Sequence, residues 1–250
     1  MQTLFHFFCC SRLKKSLHLL LIMLIGFCCF ANAATYNLTS GSYPPCNTSW
    51  SVSGTTYTCN GNGRVTLASG DILTANTTIT ISANNGFSLN NNTIGSSSNR
   101  INLTSTYGNV DASGTNTVFG NITSSSGNVT LVGTALTGTI TTGGAINLTG
   151  GSVSGLVTSQ NQTIITNGTN LSGGARGHSG MNFTGGTLSG NFVMTSNNPL
   201  TMSAVTMTSG SISGSSNAVI QNGSQLGSAS SPITITTNTN PIIIINSTVY

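Results

Sequence analysis

The chain has 250 residues, only 3% of them charged, and a formal net charge of +4; an ordinary soluble domain carries roughly 25% charged residues. Three of the six basic residues (Arg12, Lys14, Lys15) lie near the start, no Glu occurs, and after residue 33 only Arg64, Arg100 and Arg176 stand against Asp71 and Asp111. So sparse a set of cations excludes nucleic acid and an anionic membrane surface as partners, because both are held through clustered Lys and Arg.

Residues 1–33 read as a signal peptide. Arg12, Lys14 and Lys15 form a positive segment, Leu17 to Phe30 an apolar run, and Ala31-Asn32-Ala33 the small-x-small pattern that a signal peptidase cleaves. Cleavage is expected between Ala33 and Ala34, so membrane contact is confined to the uncleaved leader. A spanning anchor needs about 20 apolar residues, more than this run supplies. A lipoprotein signal through Cys28 or Cys29 is disfavoured by Phe27, which stands where a small residue belongs.

Residues 34–64 read as an N-terminal cap containing Tyr36, Tyr43, Trp50 and Tyr57. Cys9, Cys10, Cys28 and Cys29 leave with the leader, so Cys46 and Cys59 remain as a pair in an oxidising compartment. A disulfide there closes a loop of about 14 residues and contributes on the order of 3 kcal/mol. A metal site is disfavoured: there is no second cysteine pair, and His178 is the single histidine after the leader.

From Val65 onward no stretch shows helical periodicity, and the helix formers Glu, Lys and Arg are nearly absent. Apolar-polar-apolar triplets recur instead between Gly, Asn and Ser turns: Val65-Thr-Leu67, Ile79-Thr-Ile81, Ile101-Asn-Leu103, Val129-Thr-Leu131, Ile146-Asn-Leu148, Met181-Asn-Phe183, Leu200-Thr-Met202 and Ile233-Thr-Ile235. Each is a short strand with one buried face. Similar segments start at 129, 146, 164, 181, 200 and 219, a repeat of about 17–19 residues. Such a unit is too short to fold alone but long enough for one coil, and stacked coils satisfy every strand from above and below. Residues 65–250 are therefore expected to form an all-β parallel β-helix, or β-solenoid. No aliphatic residue recurs every six positions, which speaks against a left-handed hexapeptide coil and favours a right-handed one. Pro241 to Tyr250 reads as a β-prone strand with no capping segment after it, the pattern of a chain cut short within a longer protein.

Candidate chemistry is thin. Glycoside hydrolysis generally needs two carboxylates flanking the bond, yet Asp71 and Asp111 are forty positions apart and read as turn or strand-edge residues. Arg64 and Arg100 read as solvated residues at strand starts, and His178 as an exposed corner without a carboxylate to orient it. The Gly-x-Gly strings precede no helix, so they cradle no phosphate. No catalytic residue, cofactor site or metal site is assigned. Fourteen Asn-x-Ser/Thr sequons, from Asn37 to Asn246, place Asn and Thr at outward strand positions, as in Asn102-Leu-Thr104. Rows of them form ladders suited to binding glycans or proteins.

Ser42-Tyr-Pro-Pro-Cys46, then Trp50 to Cys59, then Gly61-Asn-Gly-Arg-Val-Thr-Leu-Ala-Ser-Gly-Asp71 form a distinctive block. From about residue 42 to 110 the chain resembles the N-terminal region of the MshQ family, biogenesis proteins of the mannose-sensitive haemagglutinin (MSHA) type IV pilus. That resemblance implies a Gram-negative exported protein linked to a pilus or the cell surface. Family members are much longer than this chain.

The combined expectation is an exported, non-catalytic structural or adhesive surface protein, whose partners are pilus or cell-surface proteins or glycans. Two alternatives are a carbohydrate-active β-helix lyase or hydrolase and an ice-binding solenoid. The ice reading requires Thr-x-Thr pairs in register, and Thr137-Gly-Thr139 and Thr234-Ile-Thr236 are not expected to align.

Overall fold

Strands of two to nine residues carry the chain round ten successive coils, in a computed structural model that describes residues 33–238 and 240–250. The expected signal peptide, apart from Ala33, lies outside the described residues. Among those residues the only helical element is one 3-10 turn, Leu38–Ser40. Each coil contributes a strand to three stacks in turn. The first is a ten-stranded parallel sheet starting at Val65–Thr66 and ending at Ile242–Ile244. The second and third stacks belong to one twenty-stranded sheet that turns a corner between them.

The first sheet sets the register. Val65, Phe87, Val110, Val129, Ile146, Ile164, Met181, Leu200, Ala218 and Ile242 form one column. Coils in the middle are therefore 17–19 residues long, as the repeat implies, but the first two take 22 and 23 residues and the last 24. One expected start is corrected. Ala218, not Val219, pairs with Leu200, because the turn after it carries an extra residue, Asn222, at φ 58 before Gly223. Matching Asn-Gly to Asn-Gly aligned the turns, whereas burial aligns Ala218 and Ile220.

The interior is a continuous column of fully buried Ile, Leu, Val, Phe and Met. At roughly 25 cal/mol per Å² of apolar surface, this column supplies the main drive to stack coils. Two polar rows also lie inside, which the alternating triplets do not foretell. Ser105, Ser124, Thr142 and Ser159 are buried at the end of the third sheet, and each donates to a carbonyl of the following turn or its neighbour. Asn92, Asn116 and Thr134 form the second row, at the corner between the first and second sheets. Buried hydroxyls and amides are tolerated there because the corner carbonyls and N–H groups have no strand partner.

Thr166 is the exception. It occupies an inward position between Leu148 and Phe183, and its Oγ1 has no hydrogen-bond partner. Thr166→Val should raise stability by about 1 kcal/mol, since an unpaired buried hydroxyl is replaced by a methyl of similar shape. Urea unfolding of the two proteins measures the difference.

Residues 34–64 terminate all three stacks. Thr35–Asn37 adds a parallel strand beneath Ile72–Thr74, and Cys46 bridges the Val65 edge. Trp50–Ser53 folds back antiparallel on Thr56–Cys59, which itself continues the third sheet. Tyr43 stacks on Trp50 with centroids 5.7 Å apart, and the indole donates to the Pro44 carbonyl. Cys46 and Cys59 form the expected disulfide, with Cα atoms 5.9 Å apart.

Candidate functional site

The third sheet carries the most regular surface. Its strands pair as Ile79–Ala83, Ile101–Ser105, Ile122–Ser124, Ile140–Thr142, Val157–Ser159 and Ala175–Gly177. The middle residue of each pleat points outward. One outward column therefore reads Ser82, Thr104, Thr123, Thr141, Thr158 and Arg176, in direct register coil by coil. Thr58 extends it downward on the cap strand.

Beside it the residues just before the inward aliphatics form a second row: Thr80, Asn102, Asn121 and Thr139. The two asparagines are locked to the backbone. The Asn102 carboxamide accepts the Asn121 N–H at 2.9 Å, and the Asn121 carboxamide accepts the Thr139 N–H at 3.0 Å. Parallel strands lie about 4.8 Å apart, so the result is a two-row lattice of hydroxyl and amide groups on a straight face. Rotamers of β-branched Thr are restricted, so the lattice is stiff before anything binds.

Thr137 and Thr139 lie on opposite sides of a corner, as Thr137 ends a strand of the second sheet, so that pair is not a rung. Thr139 and Thr141 share one outward face on the third sheet, but the rungs beside them are Asn121 with Thr123 and Leu156 with Thr158. Thr-x-Thr pairs therefore do not stack in successive coils; the single column through Thr141 does. The signal was present but unread: Gly120-Asn-Ile-Thr123, Gly138-Thr-Ile-Thr141 and Gly155-Leu-Val-Thr158 repeat one coil apart. A corner glycine followed by x-aliphatic-Thr fixes which Thr faces out.

The hydroxyl column ends at Arg176, which is exposed on the rim of an open cleft of about 380 Å³. Leu156, Ser172, Asn191 and Val193 form the other walls. Leu156 is itself exposed. The cleft joins an apolar wall to a guanidinium, a combination that suits a sugar ring bearing an acidic substituent.

The remaining residues singled out from the sequence are dispersed. Arg64 does not simply face solvent: it donates to the carbonyls of Asn85 and Phe87 and pairs with Asp111 at 3.1 Å, tying three coils together on the first sheet. Asp111 thus sits within a strand, Val110–Ser113, engaged with an arginine. Asp71 is 1% exposed and accepts the N–H groups of Ala34 and Ala68, each at 2.8 Å. His178 is an exposed corner residue whose Nδ1 lies 3.4 Å from the Thr195 hydroxyl. Among the described residues no three His, Cys, Asp or Glu side chains gather as a metal site. No protein-family model, curated protein or solved structure matches this chain.

Proposed function

We propose that this chain is an exported, non-catalytic surface module that adheres through the outward face of its third sheet, to a glycan or to a repetitive pilus or cell-surface protein. The single observation that carries the reading is the in-register column Thr104, Thr123, Thr141 and Thr158. A rigid row of identical donors and acceptors gains little from one group and much from many acting together, so it suits a partner that is itself periodic. The leader and the Cys46–Cys59 disulfide support export to an oxidising compartment. The resemblance of residues 42–110 to MSHA pilus biogenesis proteins supports a place at the Gram-negative surface.

The test is a double substitution, Thr123→Lys with Thr141→Lys. Both side chains are outward, so circular dichroism and thermal unfolding should stay as in the parent. Attachment of the exported protein to a glycan array, and to piliated Gram-negative cells, should fall at least tenfold. Unchanged attachment would remove the third sheet from consideration.

A second reading, ice binding, is favoured by the same threonine register, because a flat, stiff hydroxyl lattice can order water. Thermal hysteresis of the purified protein decides it. A measurable freezing-point gap that Thr141→Lys abolishes supports ice; a gap at the buffer baseline leaves adhesion alone.

A further inference from the structure

One corner position recurs in every coil, just before the strand of the second sheet. Its occupants run Asp71, Asn92, Asn116, Thr134, Gly151, Thr169, Gly186, Val205, Ser224 and Ser247. Ala34 holds the same place below Asp71, since Thr35 pairs with Ile72. At several of these positions the N–H of one coil donates to the side chain of the next. Asn92 N–H reaches Asn116 Oδ1 at 2.9 Å, Val205 N–H reaches Ser224 Oγ at 3.2 Å, and Ser224 N–H reaches Ser247 Oγ at 3.2 Å. In each case a neutral amide meets a neutral acceptor. Ala34 N–H reaches Asp71 Oδ1 in the same geometry, and only there is the acceptor a carboxylate.

That carboxylate is 1% exposed, and its other oxygen accepts the Ala68 N–H at 2.8 Å. Asn here could accept the Ala34 N–H, but its NH2 would then face the Ala68 N–H; the carboxylate accepts both donors, at the cost of burying a charge. Ala34 is also the residue that a signal peptidase cut after Ala33 would make first. We propose that Asp71 is a receptor for a new N-terminus: hydrolysis of the Ala33–Ala34 bond creates an α-ammonium on Ala34, and the Asp71 carboxylate binds it. Water supplies the atoms. Its oxygen joins the Ala33 carbonyl carbon, which leaves as a carboxylate, and the released Ala34 amine takes up a proton. A single neutral N–H at 2.8 Å becomes a charged donor facing a buried acceptor, the stronger class of hydrogen bond.

The consequence is that leader removal and closure of the first coil are coupled. Ala34 carbonyl accepts the Ile72 N–H at 2.8 Å, so the ammonium pins the first strand, Thr35–Asn37, from its very start. The pair raises the α-amine above its ordinary range of about 7.7–8.0. Its stabilisation is therefore fully present below that range and is lost as pH rises through the raised value. The titratable neighbour is Tyr36 on the same strand, whose phenol is pushed up by burial first and by the Asp71 charge second; a Tyr36→Phe background removes it from the titration.

The experiment exports the full chain from a Gram-negative host and reads the processed N-terminus by mass spectrometry. NMR then titrates the α-amine, and hydrogen exchange follows the Ile72 amide. A first residue of Ala34, an α-amine titrating at least one pH unit above the ordinary range, and a return to that range in Asp71→Asn are expected. Ile72 exchange should quicken about tenfold in Asp71→Asn, and equally after chemical acetylation of the α-amine, which tests the pair even where the variant folds poorly. A first residue other than Ala34, an ordinary α-amine, or an Ile72 amide indifferent to acetylation would each overturn the proposal.

Discussion

Replacing Phe192 with alanine is expected to destabilise the solenoid by about 3–5 kcal/mol, one of the two largest effects of any single substitution considered. Phe192 is fully buried in the third sheet and meets Phe183 of the first sheet edge-on, with centroids 5.1 Å apart. The two rings thus join opposite walls of one coil. In a solenoid this thin, each coil holds only a few inward side chains, and nothing behind them can move in to fill a void. The neighbours above and below are Ile212 and Ala175. Ala175 is already small, so an alanine at 192 leaves two small residues in succession and a cavity between coils. The lost edge-to-face contact adds about 0.5–1.5 kcal/mol within that total.

Where the loss shows is as informative as its size. A stacked array is stabilised by each coil and by its contact with the next, so it need not unfold as one unit. Hydrogen exchange in Phe192→Ala should quicken first in Ala175–Gly177, Thr187–Met194 and Thr206–Gly214, the strands around the void, while Ile79–Ala83 stays protected. A uniform loss of protection from cap to last coil would mean the array is globally cooperative, and the picture of independent rungs would fail.

The same one-dimensional logic explains what the sequence reveals and what it hides. The triplets at Val65, Val129, Ile146, Met181 and Leu200 all fall in the first sheet, because most coils there place two inward apolar residues either side of one outward residue. The triplets at Ile79 and Ile101 look identical but belong to the third sheet. Alternation reports burial on one face and is silent on which face. The second sheet has strands as short as Thr93–Ile94, Ser152–Val153 and Asn170–Leu171. Two residues cannot display a period of two, so an entire wall of the prism escapes a reading based on pattern. The disulfide was legible because, with residues 1–33 read as a leader, only two cysteines remain. The threonine column was not: its members sit 17–19 positions apart, and only the pairing of coils shows that they are neighbours. Asp71 escaped for a related reason. As a lone carboxylate in Ser-Gly-Asp it reads as a turn residue, and its partner Ala34 lies 37 positions away.

Gly210→Ala should cost at least about 3 kcal/mol, for reasons that come from stacking rather than from the residue's own neighbourhood in sequence. Most coils turn from the second sheet to the third through a break, but Thr187–Met194 and Thr206–Gly214 run straight through that corner. Gly190 and Gly210 make the bend possible at φ 94 and φ 109, and they pair with each other across the two coils. A Cβ at Gly210 would lie 1.9 Å from the Gly190 carbonyl oxygen. That oxygen belongs to a backbone held by strand hydrogen bonds, so it cannot swing aside as a side chain would. Gly223 is the control: its φ of 77 carries the same left-handed penalty, but a Cβ there meets nothing within 4 Å. Gly223→Ala should therefore cost only about 1–2 kcal/mol. Urea unfolding of both variants separates the two causes, with Gly210→Ala the more damaging by about 2 kcal/mol. Equal losses would show that backbone conformation alone selects glycine at these corners, and that the coils are not packed backbone against backbone.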